Sequence, residues 1–257
     1  MLEEQAKKEE NNQLDIESRP PYKRFPLFKD GHFRLVLFLV GLLGLEGLTL
    51  IIELIVMAVN PSLLNSESEE YIVGLTFINS ARYVILFFAF LALLFPRLMI
   101  LVLKFKNWKN VIIGAIFGLL LVRIDVVYSY AISSVIDLET NTNQLMAEQM
   151  IIAYPALSIM VLGLLGPICE EFTYRYGLFS FISKKSKLLA YIVVPIVFAF
   201  IHFDFTGNMA MEFLNLPSYL IAGVILSFVY DKYGFEGALT AHIVNNMFSC
   251  ISVLIYG

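Results

Sequence analysis

The stretch Leu164–Arg175 reads LLGPICEEFTYR and lies within an apolar run, residues 150–181, that is long enough to cross a bilayer. Two adjacent acids, Glu170 and Glu171, stand where a membrane segment ordinarily tolerates neither. One ionisable side chain at the centre of a span costs roughly 2.5–3.5 kcal/mol on insertion scales, so the pair marks a functional site by default.

Composition places the rest of the chain around that segment. Of 257 residues, 58% are hydrophobic and only 16% are charged, and the mean hydropathy is +0.75. Such a chain has too little polar surface for a water-soluble globule. It reads as all-α, a polytopic bundle of membrane helices. A hydrocarbon core of about 30 Å needs roughly 20 helical residues. Seven runs meet that length, at 34–59, 71–95, 110–136, 150–181, 188–205, 216–232 and 236–256.

Lysine and arginine are distributed to one side of these spans. Fifteen of the eighteen flank alternate ends, in the N-terminal segment, at 97–109, at 184–187 and at Lys232. The loops 60–70, 137–149 and 206–215 and the C-terminus have none. Because cytoplasmic loops carry the positive charge, the N-terminus is expected in the cytoplasm and the C-terminus across the membrane. Residues 1–30 are polar, mixed in charge and carry three prolines, which reads as a disordered cytoplasmic tail. Residues 31–149 then hold three spans and 150–257 a core of four. No cleavable signal peptide is legible, since a long charged segment precedes a first apolar run of span length. Cys169 and Cys250 both fall inside spans and form no disulfide framework. No basic stripe suggests nucleic acid.

Away from the ends of the spans, five acids (Glu46, Glu53, Asp125, Glu170 and Glu171) face three arginines (Arg82, Arg123 and Arg175). Full pairing leaves two carboxylates over. Glu171 and Arg175 are four apart with the acid first, the favourable order for a pair on one helix face. Glu170 lies about 100° round the helix from Glu171 and is left without a cation on its own face. A carboxylate without a counter-ion, taken out of water, suits a general base or acid. Glu46, Glu53, Arg82, Arg123 and Asp125 read as buried structural pairs, with Glu46 and Glu53 also placed to line a polar cavity.

Spacing joins the fourth and fifth spans. Glu170 precedes residue 186, in the basic turn, by as many residues as His202 follows it. In an antiparallel pair both then lie at one depth, about 24 Å from the turn. His242 and Asn246 are four apart and point to one side. His242 is about 12 Å from the turn near Gly234, which favours a site in the cytoplasmic half. Asn245 points elsewhere and reads as packing. Pro167 removes a helix donor and frees the carbonyl of Gly163, so a local kink is expected beside the acids. Gly114 and Gly118 form a small-xxx-small packing step.

Three motifs occur in order on separate spans: EExxxR at Glu170, Glu171 and Arg175, FxxxH at Phe198 and His202, and HxxxN at His242 and Asn246. Together they resemble the CPBP family, the CAAX proteases and bacteriocin-processing enzymes (Abi-type) related to the type II CAAX prenyl endopeptidases, over roughly residues 160–250. Relatives of this kind have eight helices, one more than the seven read here. The resemblance implies an intramembrane glutamic endopeptidase acting on a membrane-associated peptide or protein. Glu170 with His202 would activate water, His242 with Asn246 would hold the oxyanion, and Glu171 with Arg175 would support the base. Peptide hydrolysis needs such a base and such donors. It implies no cofactor.

Other chemistries fit the sequence less well. There is no HExxH, and two membrane histidines with two glutamates would be the available zinc ligands, so a metal-free mechanism is preferred to a zinc one. No GxSxG is present, and Cys169 in apolar surroundings reads as inert. The family's association with bacteriocin clusters leaves a non-enzymatic self-immunity protein as the alternative. A transporter would show paired halves with broken helices, whereas the chemistry here crowds into the last four spans.

Overall fold

A computed structural model of the chain describes residues 30–136, 141–205 and 207–256; nearly all of the expected tail, residues 1–29, lies outside them. Among the described residues every regular element is helical. Helix α1 (Asp30–Val59) is followed by a 3-10 turn (Pro61–Leu64), α2 (Tyr71–Lys104), α3 (Trp108–Ser133) and the short α4 (Thr142–Ala153). Then come α5 (Pro155–Ser183), α6 (Lys187–Phe200) and α7 (Met209–Tyr256). The expected boundary at residues 149/150 falls inside α4.

Five of these helices, α1, α2, α3, α5 and α7, are long and apolar enough to cross a membrane. The count of seven differs from this at two places. The run 188–205 forms a helix of only 14 residues, about 21 Å long against the roughly 30 Å of a hydrocarbon core. The runs 216–232 and 236–256 are continuous in α7, interrupted only at Gly234, whose φ of 75° and ψ of −177° are not helical. Glycine reaches that conformation without a Cβ penalty.

The contacts of α3 show what Gly234 does. Tyr128 bonds to the Leu214 carbonyl, Leu121 packs with Leu226, and Phe117 lies 5.8 Å from Phe228, so residues 209–233 run antiparallel to α3. Asn110 bonds to Glu236 at 2.7 Å, and Gly114 and Gly118 face the carbonyls of Gly237 and Ala241, so residues 235–256 run parallel to it. The two halves of α7 therefore form a hairpin that clasps α3.

Large apolar side chains such as Phe88, Phe95, Leu43 and Val135 cover the outer faces, as a lipid-facing surface requires. The core between α1, α2 and α5 is built from Leu37, Phe90, Leu94, Val161 and Tyr174, all inaccessible. One end of the bundle is basic and knit by charge. Asp30 meets Arg97 at 3.0 Å and Lys184 at 2.5 Å, and Asp231 meets Lys187 at 2.7 Å. The opposite end, where residues 60–70, 134–136, 141–154, 201–205 and 207–215 lie, has no Lys or Arg among them. There buried Glu212 accepts from the backbone N–H groups of Thr142 and Asp204, at 3.1 and 3.2 Å, tying two loops together.

A Cβ at Gly114 would come within 2.3 Å of the Gly237 carbonyl oxygen, whereas one at Gly47 meets nothing within 4 Å. Gly114→Val should therefore destabilise the purified protein by about 1–3 kcal/mol, and Gly47→Val should not, measured by thermal unfolding in detergent.

Candidate active site

Helix α5 carries the acids and is wound irregularly around them. Residues 159–165 and 171–179 adopt wide π turns, with a short α segment, Gly166–Glu170, between them. The N–H of Gly166 reaches the carbonyl of Val161, and that of Ser180 the carbonyl of Arg175, each five residues back. Pro167 cannot donate and so cannot continue a regular ladder; the irregularity expected there takes the form of a widened helix. Such turns are frequent at functional sites.

Glu171 and Arg175 are both inaccessible, with Nη1 3.0 Å from Oε1. The guanidinium also lies 4.3 Å over the ring of Phe198, while its nitrogens make no well-angled hydrogen bond. His242 stands between the two acids. Its Nδ1 is 2.9 Å from Glu171 Oε1 and its Nε2 3.7 Å from Glu170 Oε2. The other oxygen of Glu170 accepts from the hydroxyl of buried Tyr83 at 3.1 Å. Tyr83 in turn lies 4.6 Å beneath the guanidinium of Arg82, which donates to Asn79 and Thr49 at 2.7 and 3.2 Å.

His202 lies just beyond the end of α6, in the turn that follows Phe200. Its Nδ1 donates to the Phe198 carbonyl at 2.8 Å, and its ring stacks on Tyr219 with centroids 4.6 Å apart. Tyr219 receives the amide of Asn141 at 3.2 Å, so the α4 cap also buttresses this histidine. Asn246 donates to the Leu162 carbonyl, within the first wide turn of α5, at 3.0 Å. Its own carbonyl oxygen accepts from Asn245 at 3.2 Å.

A cavity of about 810 Å³ is lined by Glu170, His202, His242 and Asn246 together. Glu171 and Arg175 are not on its wall and stand behind it. Several expectations change. Glu170 has no hydrogen bond to His202; its neighbours are His242 and Tyr83. Asn245 is on the cavity wall and bonds to Asn246, and so does not point away. Among the described residues no ion pair joins Glu46, Glu53, Arg82, Arg123 or Asp125. Glu46, Arg123 and Asp125 are exposed on helix surfaces, and only Glu53, Arg82 and Asp125 reach the cavity. The cavity also lies in the half of the bundle opposite to the basic end, because its floor is Glu170 and His242 and its walls are the halves of α1, α2, α3 and α7 that lead to the Lys/Arg-free loops. Tyr83 and Arg82 are contributions from α2 that the motifs did not mark. A tyrosine in an apolar helix looks like packing, and only the fold brings it to a residue 87 positions away. Among the described residues no group of three or more His, Cys, Asp or Glu side chains is arranged to hold a metal ion.

Glu170, His202 and His242 thus line one cavity inside an apolar helical bundle whose long helices could cross a membrane. Residues 152–248 match the family model described as type II CAAX prenyl endopeptidase Rce1-like, and this segment is similar to that family of membrane proteases. The match runs from the end of α4 into α7 and leaves out α1 to α3, and so Arg82 and Tyr83. No curated protein and no solved structure matches the chain.

Removing one partner of a buried pair strands the other charge, at about 3–5 kcal/mol. Arg175→Met should lower the unfolding midpoint sharply, while the double variant Glu171→Leu/Arg175→Met should recover a large part of the loss. A double-mutant cycle in detergent checks this.

Proposed function

We propose that the protein is an intramembrane endopeptidase that hydrolyses a peptide bond in a membrane-associated peptide or protein, with Glu170 as the base that takes a proton from water. The observation that carries this reading is the setting of Glu170, on the floor of the cavity between the Tyr83 hydroxyl and His242 Nε2.

The histidines divide the remaining work. With its Nδ1–H committed to the Phe198 carbonyl, neutral His202 turns an Nε2 lone pair to the cavity, where it assists Glu170 in ordering and deprotonating the water. His242 has its Nδ1 held by Glu171, which fixes the ring and its tautomer. In its doubly protonated form it presents Nε2–H to the oxyanion of the tetrahedral intermediate. Asn246 spends one amide hydrogen on the Leu162 carbonyl, so its second N–H is the one available to the same oxygen. One such donor is worth about 2.7–4 kcal/mol of barrier. Glu170 then returns its proton to the leaving amine. Glu171 and Arg175 position His242 and do not touch the substrate.

Glu170→Gln should reduce cleavage of membrane-associated peptides in reconstituted vesicles by about 10²–10⁴-fold without loss of fold, and His202→Ala should reduce it in the same direction. Retained cleavage in both variants would end the reading. Cleavage that survives a strong chelator would separate the glutamate mechanism from a zinc-dependent one.

A further inference from the structure

The cavity is longer than the site at its floor. From Glu170 and His242 it continues along α1, α2, α3 and the first half of α7 as far as Ser133 and Asn143, both exposed, at the Lys/Arg-free end. None of its wall lies at the basic end, where α5, α6 and the turn of α7 close over the floor with Phe179, Ala190, Val194 and Phe235. Its charge is also one-sided. Glu53, Asp125 and Glu148 line the passage above Glu170, and Arg82 is its one Lys or Arg. Arg82 is turned to Asn79 and Thr49 and makes no ion pair among the described residues, so the acids are not neutralised in place.

We propose that the peptide to be cut reaches Glu170 through the Lys/Arg-free end of the bundle, the extracytoplasmic face by the asymmetry of the loops, and that the passage selects a segment carrying positive charge. This rests on the endopeptidase reading for the fate of the peptide, but not for the direction or charge of the route. Acidic groups on walls of low dielectric focus the field along a passage and raise the local concentration of cations. The effect is screened by salt over about 8–10 Å at physiological ionic strength, so the preference should weaken as salt is added.

The route can be measured without any substrate. Ser249 lines the cavity, and Ser249→Cys in a chain with Cys169→Ala and Cys250→Ala can be exposed, in sealed right-side-out vesicles, to two membrane-impermeant thiosulfonates, one cationic and one anionic. Both should react without permeabilisation, the cationic reagent about tenfold faster than its ratio on a free thiol predicts. Neutralising Glu53, Asp125 and Glu148 to Gln, Asn and Gln should abolish the difference. Lys185→Cys, at the basic end, should react only after permeabilisation. Reaction of Ser249→Cys solely from the other face would overturn the route, and equal rates would overturn the charge selection. If the cysteine-free background does not fold, Asn143→Cys in the otherwise unchanged chain gives the readings after subtraction of the unchanged chain's own labelling, because Cys250, though buried, lies on the cavity wall. These rates do not depend on Glu170. Cleavage that persists in Glu170→Gln would remove the peptidase reading and leave them as they are, whereas labelling from the wrong face would remove the route and leave the peptidase reading intact.

Discussion

Charge withdrawn from water has to be answered locally, and in this bundle that constraint converges on Arg175. The guanidinium is wholly inaccessible, so its counter-ion must be within reach; Glu171, one turn earlier, supplies it at 3.0 Å. Glu171 in turn receives His242, and His242 faces Glu170. The cation thus anchors a row of ionisable groups that reaches the cavity floor. Phe198 closes the row from the side, with its ring under Arg175 and 6.0 Å from His242, so that three helices, α5, α6 and α7, are held in register by one electrostatic requirement.

The winding of α5 belongs to the same requirement. In a regular helix adjacent side chains diverge by about 100°, yet Glu170 and Glu171 both come to one imidazole. The α segment that ends at Glu170 passes directly into a wide turn beginning at Glu171, and the change of pitch occurs between the two acids. Asn246 holds the preceding wide turn through Leu162. An asparagine four residues from the histidine therefore sets the backbone that carries the carboxylate, in addition to facing the cavity itself.

Local spacing made much of this legible. The Glu171–Arg175 step, the packing of Gly114 and Gly118, the disturbance at Pro167 and the shared face of His242 and Asn246 all depend on neighbours within a turn or on residue size, which a sequence displays. Depth along two helices brings Glu170 and His202 to one cavity but does not fix rotation about them, so the approach of His242 to Glu170 is not legible in the spacing. His202 comes to the cavity but spends Nδ1 on its own helix end, while His242 arrives from a hairpin whose angle no spacing encodes. Span counting was limited in a similar way. Residues 201–205 extend the run, but the chain leaves the helix after Phe200, where the backbone N–H of Asp204 donates to Glu212. The number of intramembrane charges outside the motif suggests partners, but Glu46 and Arg123 are exposed on helix surfaces, and Glu53, Arg82 and Asp125 line one cavity without an ion pair among the described residues.

Gly234 sets a final condition. The descending half of α7 begins immediately after it, and His242 is reached by counting helical residues from that point. Each residue inserted or deleted between them would rotate the imidazole by about 100° and move it by about 1.5 Å, away from both acids. The loops at the other end can vary in length without changing the phase of any helix that carries a residue of the cavity floor. The hairpin tip cannot, so over evolutionary divergence this turn should be conserved in length even where its residues change, and length variation should accumulate at 60–70 and 137–141 instead.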